Sequence, residues 1–263
     1  YPGAKWGLQY LGEDATEDDL WNLFTALYRL DAKDPDRFWE DQGVMLSYRK
    51  KRLNAIKPER LEIVGDGWAF SCSVAKDTQW CGGEQHTSSN RTFFSTLPVQ
   101  HLYATIDGLS ANGSVSSSRP FLLLGKQVSG ASFTLKNGKA VSWSAQKGED
   151  ALDAFFGVDD GADVLCELSL ADEDTLESRH LPHGVHPLFN KTMTTHVGFG
   201  GFALDTLSRH ITADELEALH LNQSLVRMDV PMGSRSLTIT AIDPDGTHHV
   251  LMDEGVFSEE EQI

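Results

Sequence analysis

Cysteine is scarce in this chain of 263 residues: Cys72, Cys81 and Cys166 are the only three, and no two form a CxxC pair. So sparse and odd a set argues against a disulfide framework and against a cysteine zinc site. It leaves buried reduced thiols in a cytoplasmic protein as the plain expectation. Cys72 and Cys81 are the pair that a suitable fold could join. Positive charge is scarce too. Twenty-two Lys and Arg stand against 39 Asp and Glu, a net charge of −17. No basic face is available to neutralise phosphates or anionic headgroups, so neither nucleic acid nor a membrane surface is expected as a partner. Long apolar runs are missing: Phe121–Leu124 is far short of the ~20 residues that cross a bilayer. No charged-then-apolar leader opens the chain, and no internal repeat is visible. What is present is an apolar fraction of 40%, enough for a core and too much for a disordered chain. Composition never drops far enough to mark a linker. Residues 1–257 are therefore read as one domain and 258–263 as a frayed acidic tail.

The first sixty residues carry helix signals. Thr16 with Asp19 three positions on forms an N-terminal cap, and Leu20, Phe24, Leu27 and Tyr28 follow at helical spacing. Asp34-Pro35 starts a second helix, carrying Phe38, Trp39, Leu46 and Leu53 and ending before Pro58. From Leu61 the pattern shortens to strands: Leu61–Val64 and Trp68–Cys72 around Gly65-Asp66-Gly67, then Phe133–Leu135 and Ala140–Trp143 around Asn137-Gly138, a strong hairpin signal. Val164–Leu170, Ser224–Val230 and Leu237–Ile242 read as further strands. Asp245-Gly246 marks another hairpin, and Thr212-x-x-Glu215 is a capping box for a short helix. Gly108–Arg119, rich in Ser, Gly and Asn, reads as a loop or hairpin tip. Helices first and then a largely antiparallel sheet give an α+β fold.

Few of the ten histidines suggest chemistry. His180, His183 and His186 lie three apart, but Pro182 and Pro187 prevent a helix from stacking them, so a loop is expected rather than a metal site. His248-His249 reads as surface. Three segments are more telling. Cys166-Glu167-Leu168 sets a carboxylate in an apolar strand, and His196 precedes small residues. In Val226–Val230, Arg227 and Asp229 share one strand face while the apolar residues take the other. Charges in such strands are costly unless paired or bound to metal. The expected arrangement is an ion pair of Arg227 with Asp229 or Glu167.

Several pieces recur in one order: Leu20-Trp21 to Phe24, Asp34-Pro35 with Trp39, Leu53-Asn54, Trp80-Cys81-Gly82-Gly83, Leu97-Pro98, Cys166-Glu167, His196-x-Gly-x-Gly and above all Asn222–Ser234. In these the chain resembles the metallopeptidase family that includes aminopeptidase T, AmpS and PepS, from the N-terminus almost to Phe257. The resemblance implies the fold of the C-terminal, metal-binding domain of those enzymes, a twisted, mostly antiparallel sheet flanked by helices. It also implies that an N-terminal domain of the family is missing, which would leave the cleft more open.

Family members are dimeric exopeptidases holding two divalent metals, usually zinc or cobalt, on two glutamates, two histidines and an aspartate. Carried over, the second glutamate falls on Glu167, the first histidine on His196 and the aspartate on Asp229. The first glutamate's place is taken by His101 and the second histidine's by Arg227. The family's catalytic tyrosine, seven residues after the first histidine, corresponds to Ala203. Arginine has no lone pair for a metal, so a two-metal site is not expected: the cofactor is none, or one zinc ion held by His101, Glu167, His196 and Asp229. The expected function is that of a catalytically silent aminopeptidase-like protein. It would bind a peptide in a groove at His101, Glu167, His196, Arg227 and Asp229, such as a precursor peptide handled by partner enzymes of a biosynthetic complex, and it could pair as a homodimer. The alternative is an active single-metal aminopeptidase, or an iron-dependent oxygenase using His101, His196 and Asp229.

Overall fold

The computed structural model describes residues 8, 11, 14–175 and 187–258, with the backbone alone at 187–189. His180, His183, His186 and residues 259–263 of the tail lie outside the described residues. Helix α1 (Glu17–Tyr28) opens on the expected box: the Asp19 N–H donates to Thr16 Oγ1 at 3.2 Å, and the Thr16 N–H to the Asp19 carboxylate at 2.8 Å. Helix α2 (Pro35–Ala55) begins with Asp34 accepting from the Arg37 N–H, and buries Trp39, Leu46 and Leu53.

The strands follow in chain order: β1 (Arg60–Gly65), β2 (Trp68–Cys72), β3 (Cys81–Gly82), β4 (Gln85–His86), β5 (Thr92–Phe93), β6 (His101–Thr105), β7 (Asn112–Ser116), β8 (Phe121–Leu123), β9 (Lys126–Val128), β10 (Ser132–Lys136) and β11 (Lys139–Ser144). After helix α3 (Glu149–Phe156) come β12 (Leu165–Ala171), helix α4 (Pro187–Met193), β13 (His196–Gly200), a 3₁₀ turn (Leu204–Thr206) and helix α5 (Ala213–Ala218). The chain then runs through β14 (Arg227–Pro231), β15 (Thr238–Ile242), β16 (His248–Asp253) and β17 (Val256–Phe257).

These strands build two main sheets rather than one. The larger has the order β11-β10-β7-β2-β1-β15-β16-β17, the smaller β14-β13-β12-β6-β3, and the pairings within both are antiparallel. Two hairpins, β4–β5 and β8–β9, stand outside them. Period-2 alternation turns Leu102, Ala104, Leu168, Leu170, Val197, Phe199, Met228 and Val230 of the small sheet into one core with Ile63, Phe70, Phe133 and Ile239 of the large one. Phe199 meets Phe133 across the gap at a centroid distance of 5.2 Å, and Phe156 of α3 closes on both. Helix α2 lies against β3 and β6.

The segment read as a loop or hairpin tip, Gly108–Arg119, contains β7, a strand between β2 and β10. Its polar composition hides it: among Asn112–Ser116 only Val115 is buried. Cys72, Cys81 and Cys166 are free. Burial pushes the Cys72 and Cys166 thiols up to about 12.

Candidate metal centre

The small sheet's two faces have different chemistry. The register pairs Ala171 with His101, Ser169 with Tyr103 and His196, Glu167 with Thr105 and Gly198, and Gly198 with Asp229. Because side chains alternate, His101, Tyr103, Glu167, Ser169, His196, Gly198, Arg227 and Asp229 all fall on the face away from the inter-sheet core. Four separate strands thus deliver the five residues singled out in the sequence to one place.

The geometry is tight. Glu167, His196 and Asp229 each bring a ligand atom within 4.8 Å of the other two, and His101 is not part of that trio. His196 Nδ1 lies 3.1 Å from the Thr194 carbonyl, a contact that requires the proton on Nδ1 and turns Nε2 toward the carboxylates. Nε2 is 3.5 Å from Glu167 Oε1 and 3.8 Å from Asp229 Oδ1. Into the same space comes the guanidinium of Arg227. Its Nη2 lies 2.6 Å from Glu167 Oε1 and 2.8 Å from Asp229 Oδ1. Of the contacts to these two carboxylates, only Nε–H to Asp229 Oδ1, at 2.9 Å, is aligned as a hydrogen bond. Gly198 makes room for it: a Cβ there would stand 2.8 Å from Nη2 and 3.1 Å from Glu167 Cβ.

Charge follows this geometry. Burial pushes the Glu167 carboxyl up, but the His196 contact and the Arg227 charge outweigh it and hold the group below the usual carboxylate range. Burial works against the Arg227 cation as well, yet Asp229 and Glu167 beside it raise its pKa above the ordinary value. His101 is pushed down to about 3, first by burial and then by repulsion from His196, so it is a neutral ring near neutral pH. It stacks on Tyr103 at 5.2 Å and lies 6.4 Å from the His196 ring. The Tyr103 hydroxyl donates to the Asp205 carboxylate, two residues beyond Ala203. Burial, followed by that bond, raises the Tyr103 pKa.

A family model described as thermophilic metalloprotease (M29) matches residues 1–257. The chain belongs to the M29 metallopeptidase family. It is 28% identical to aminopeptidase T of Thermus aquaticus over 256 residues, covering 97% of this chain and 63% of that protein. It is 24% identical to aminopeptidase PepS of Streptococcus thermophilus, covering 93% and 61%. Its fold superposes on wild-type AmpT from Thermus thermophilus with a TM-score of 0.86 at 25% identity, covering 95% of this chain and 62% of that one. A 2,5-dihydroxypyridine dioxygenase from Pseudomonas putida shares the fold at a TM-score of 0.54 and 10% identity. This M29 chain thus spans about three-fifths of the length of these relatives.

M29 membership implies metal dependence, and the trio of Glu167, His196 and Asp229 is a ligand set of the right chemistry. The fourth occupant is not. An ion about 2.0–2.2 Å from both carboxylates would need the space that Arg227 Nη2 fills, and would face a fixed positive charge there. The donor set with Arg227 in place does not fit a resident dication. The structure brings the five residues named from the sequence to one sheet face, with Glu167, His196, Arg227 and Asp229 in close contact and the His101 ring 6.4 Å from that of His196. Tyr103, which period-2 spacing from His101 places on the same face, is not singled out in the sequence, and Gly198 enters there only as part of the His196-x-Gly-x-Gly motif and not for the room its missing side chain gives the guanidinium.

Proposed function

We propose that this M29 chain is a catalytically silent aminopeptidase-like protein that binds a peptide without cutting it. The observation that carries the reading is the position of Arg227 Nη2, 2.6 Å from Glu167 Oε1 and 2.8 Å from Asp229 Oδ1. A guanidinium there neutralises the carboxylates as a cation would, but it has no open coordination position at which to activate water or polarise a carbonyl. The tyrosine place is also empty of chemistry, since Ala203 offers no hydroxyl. What remains is a polar floor with a cavity on either side. One, of about 220 Å³, is lined by His101, Tyr103, Lys191 and Gly82. The other, of about 310 Å³, lies by Arg227 and Asp229. Such a site presents a carboxylate-flanked cation and apolar walls to an extended chain. The client we favour is a precursor peptide presented to partner enzymes, and a net charge of −17 suits a basic segment.

Isothermal titration with synthetic precursor peptides, followed by mass spectrometry of the same mixture, tests both halves. Heat of binding with the peptide intact is the expected result. Loss of N-terminal residues that stops with chelator and returns with zinc would overturn it.

A second reading has its own support. His101 Nδ1, His196 Nε2 and both Glu167 oxygens are buried without an aligned hydrogen bond, the condition in which an ion is welcome. A single-metal aminopeptidase, or an iron enzyme working from His101, His196 and Asp229, would satisfy them if Arg227 swung aside. Hydrolysis of aminoacyl reporters by protein carrying about one ion per chain would establish it.

A further inference from the structure

The edge of the small sheet carries a second feature. Among the described residues strand β14 is the last of its sheet, and the β8–β9 hairpin stands opposite its outer side across the cavity of about 310 Å³. Backbone bonds fix which groups face that slot. The Val226 carbonyl accepts from Gly201 and the Met232 N–H donates to Thr195, both toward β13, whereas the Pro231 carbonyl accepts from Ser118 on the other side. Alternate residues of an antiparallel strand bond to the same neighbour. Arg227 and Asp229, in step with Pro231, therefore turn N–H and C=O outward. The slot's walls are apolar, with Phe121, Leu123, Phe155 and Met228 among them. Besides Arg227 and Asp229, one further polar side chain lines the slot. Asn190 of α4 is 3% exposed, and among the described residues neither its Nδ2 nor its Oδ1 has a hydrogen-bond partner. A buried carboxamide with both ends unsatisfied is costly, and a peptide amide, with one donor and one acceptor, is its natural complement.

We propose that this slot takes a short extended peptide segment as an added strand on β14. An apolar side chain of the segment sits between Phe121, Leu123, Phe155 and Met228, and one of its peptide groups pairs with Asn190. The inference rests on the peptide-binding reading above and adds to it the place, the backbone direction and a preference for an apolar residue. Arg227 then has two roles: its side chain closes the carboxylate pair, and its backbone pairs with the ligand.

The test uses the full chain, labelled with ¹⁵N, and the capped peptides acetyl-Ala-Xaa-Ala-Ala-amide with Xaa as Leu, Phe or Asp. The Leu and Phe peptides are expected to shift the backbone amides of Arg227 and Asp229 and the side-chain amide of Asn190, and the Asp peptide to bind at least tenfold more weakly. Asn190→Ala should weaken the Leu peptide about tenfold, the value of one good hydrogen bond. Leu124→Trp, changing an exposed residue that lines the slot, should abolish binding while leaving the rest of the spectrum in place. Peptide-dependent shifts confined to the His101 and Tyr103 side would overturn the slot but keep the peptide reading. No shifts with any peptide would overturn both. Broadening of the β14 amides with protein concentration alone would assign the edge to a second copy of the chain and overturn the slot as a peptide site.

Discussion

Arg227 and Glu167 are coupled through burial: the Glu167 side chain is 1% exposed, and the guanidinium 2.6 Å away compensates its charge. Arg227→Ala would leave that carboxylate buried and unpaired. The expected cost is about 3–5 kcal/mol, concentrated on Glu167 because the partly exposed Asp229 can draw on water. Urea denaturation measures it, and a loss below ~1 kcal/mol would show that the pair is solvated. The same residues set a pH dependence. In the folded chain burial pushes His101 from the ordinary 6.5 down to about 3, and, against its own burial, the His196 and Arg227 neighbours hold Glu167 below its ordinary 4.5. The unfolded chain takes up these protons first, so stability is complete above the ordinary values. It falls as pH drops, from about 6.5 for the His101 part and from about 4.5 for the Glu167 part. His101→Gln should flatten the denaturation midpoint between pH 6.5 and 4.5 and leave the steeper fall below it. An unchanged upper slope in that variant would contradict the assignment.

At the scale of elements, close approach and turn chemistry decide most outcomes. Gly198 on β13 admits the guanidinium, and Gly198→Ala would put a methyl 2.8 Å from Nη2. The side chain can retreat, but only by leaving its carboxylates, so a loss of about 1–3 kcal/mol is expected, with a weaker upward shift of Arg227. Thermal denaturation reads the first, and the ¹⁵Nε chemical shift of Arg227 the second. Gly138, in the β10–β11 turn at φ 83°, is a sharper case, since an added Cβ would meet the Gly108 carbonyl at 1.8 Å. Gly138→Ala should cost more than the ~1 kcal/mol of a strained turn alone, seen as a lower denaturation midpoint. That hairpin was legible because Asn137-Gly138 is a local signal, and so were the Thr16 cap and the Thr212-x-x-Glu215 box. Strand β7 was not, because its residues are polar and its strand character comes from pairing with β2 and β10 rather than from its own pattern. The alternation in Arg227–Asp229 foretold their shared face. That Asn190 of α4 would join the same site depends on how α4 packs against β14, which no spacing in the sequence encodes.

Across the whole molecule, two antiparallel sheets share a core on one side, which leaves the outer face of the small sheet free to collect polar groups from β6, β12, β13 and β14. The aminopeptidase T likeness was legible as an ordered series of short motifs, and it gave the fold because order and spacing survive at 28% identity. It could not give the arrangement of the altered site, because a single residue there, Arg227, changes which atoms may approach. No helix among the described residues is long and apolar enough to cross a membrane. Metal content shows most directly whether a divalent ion can share the site with Arg227. The protein is purified without chelator, equilibrated with zinc, dialysed and measured by elemental mass spectrometry beside Arg227→His, in which a lone pair replaces the cation. The account predicts no stoichiometric zinc in the natural sequence and about one ion per chain in Arg227→His. One or two tightly held zinc ions per chain in the natural sequence would contradict it.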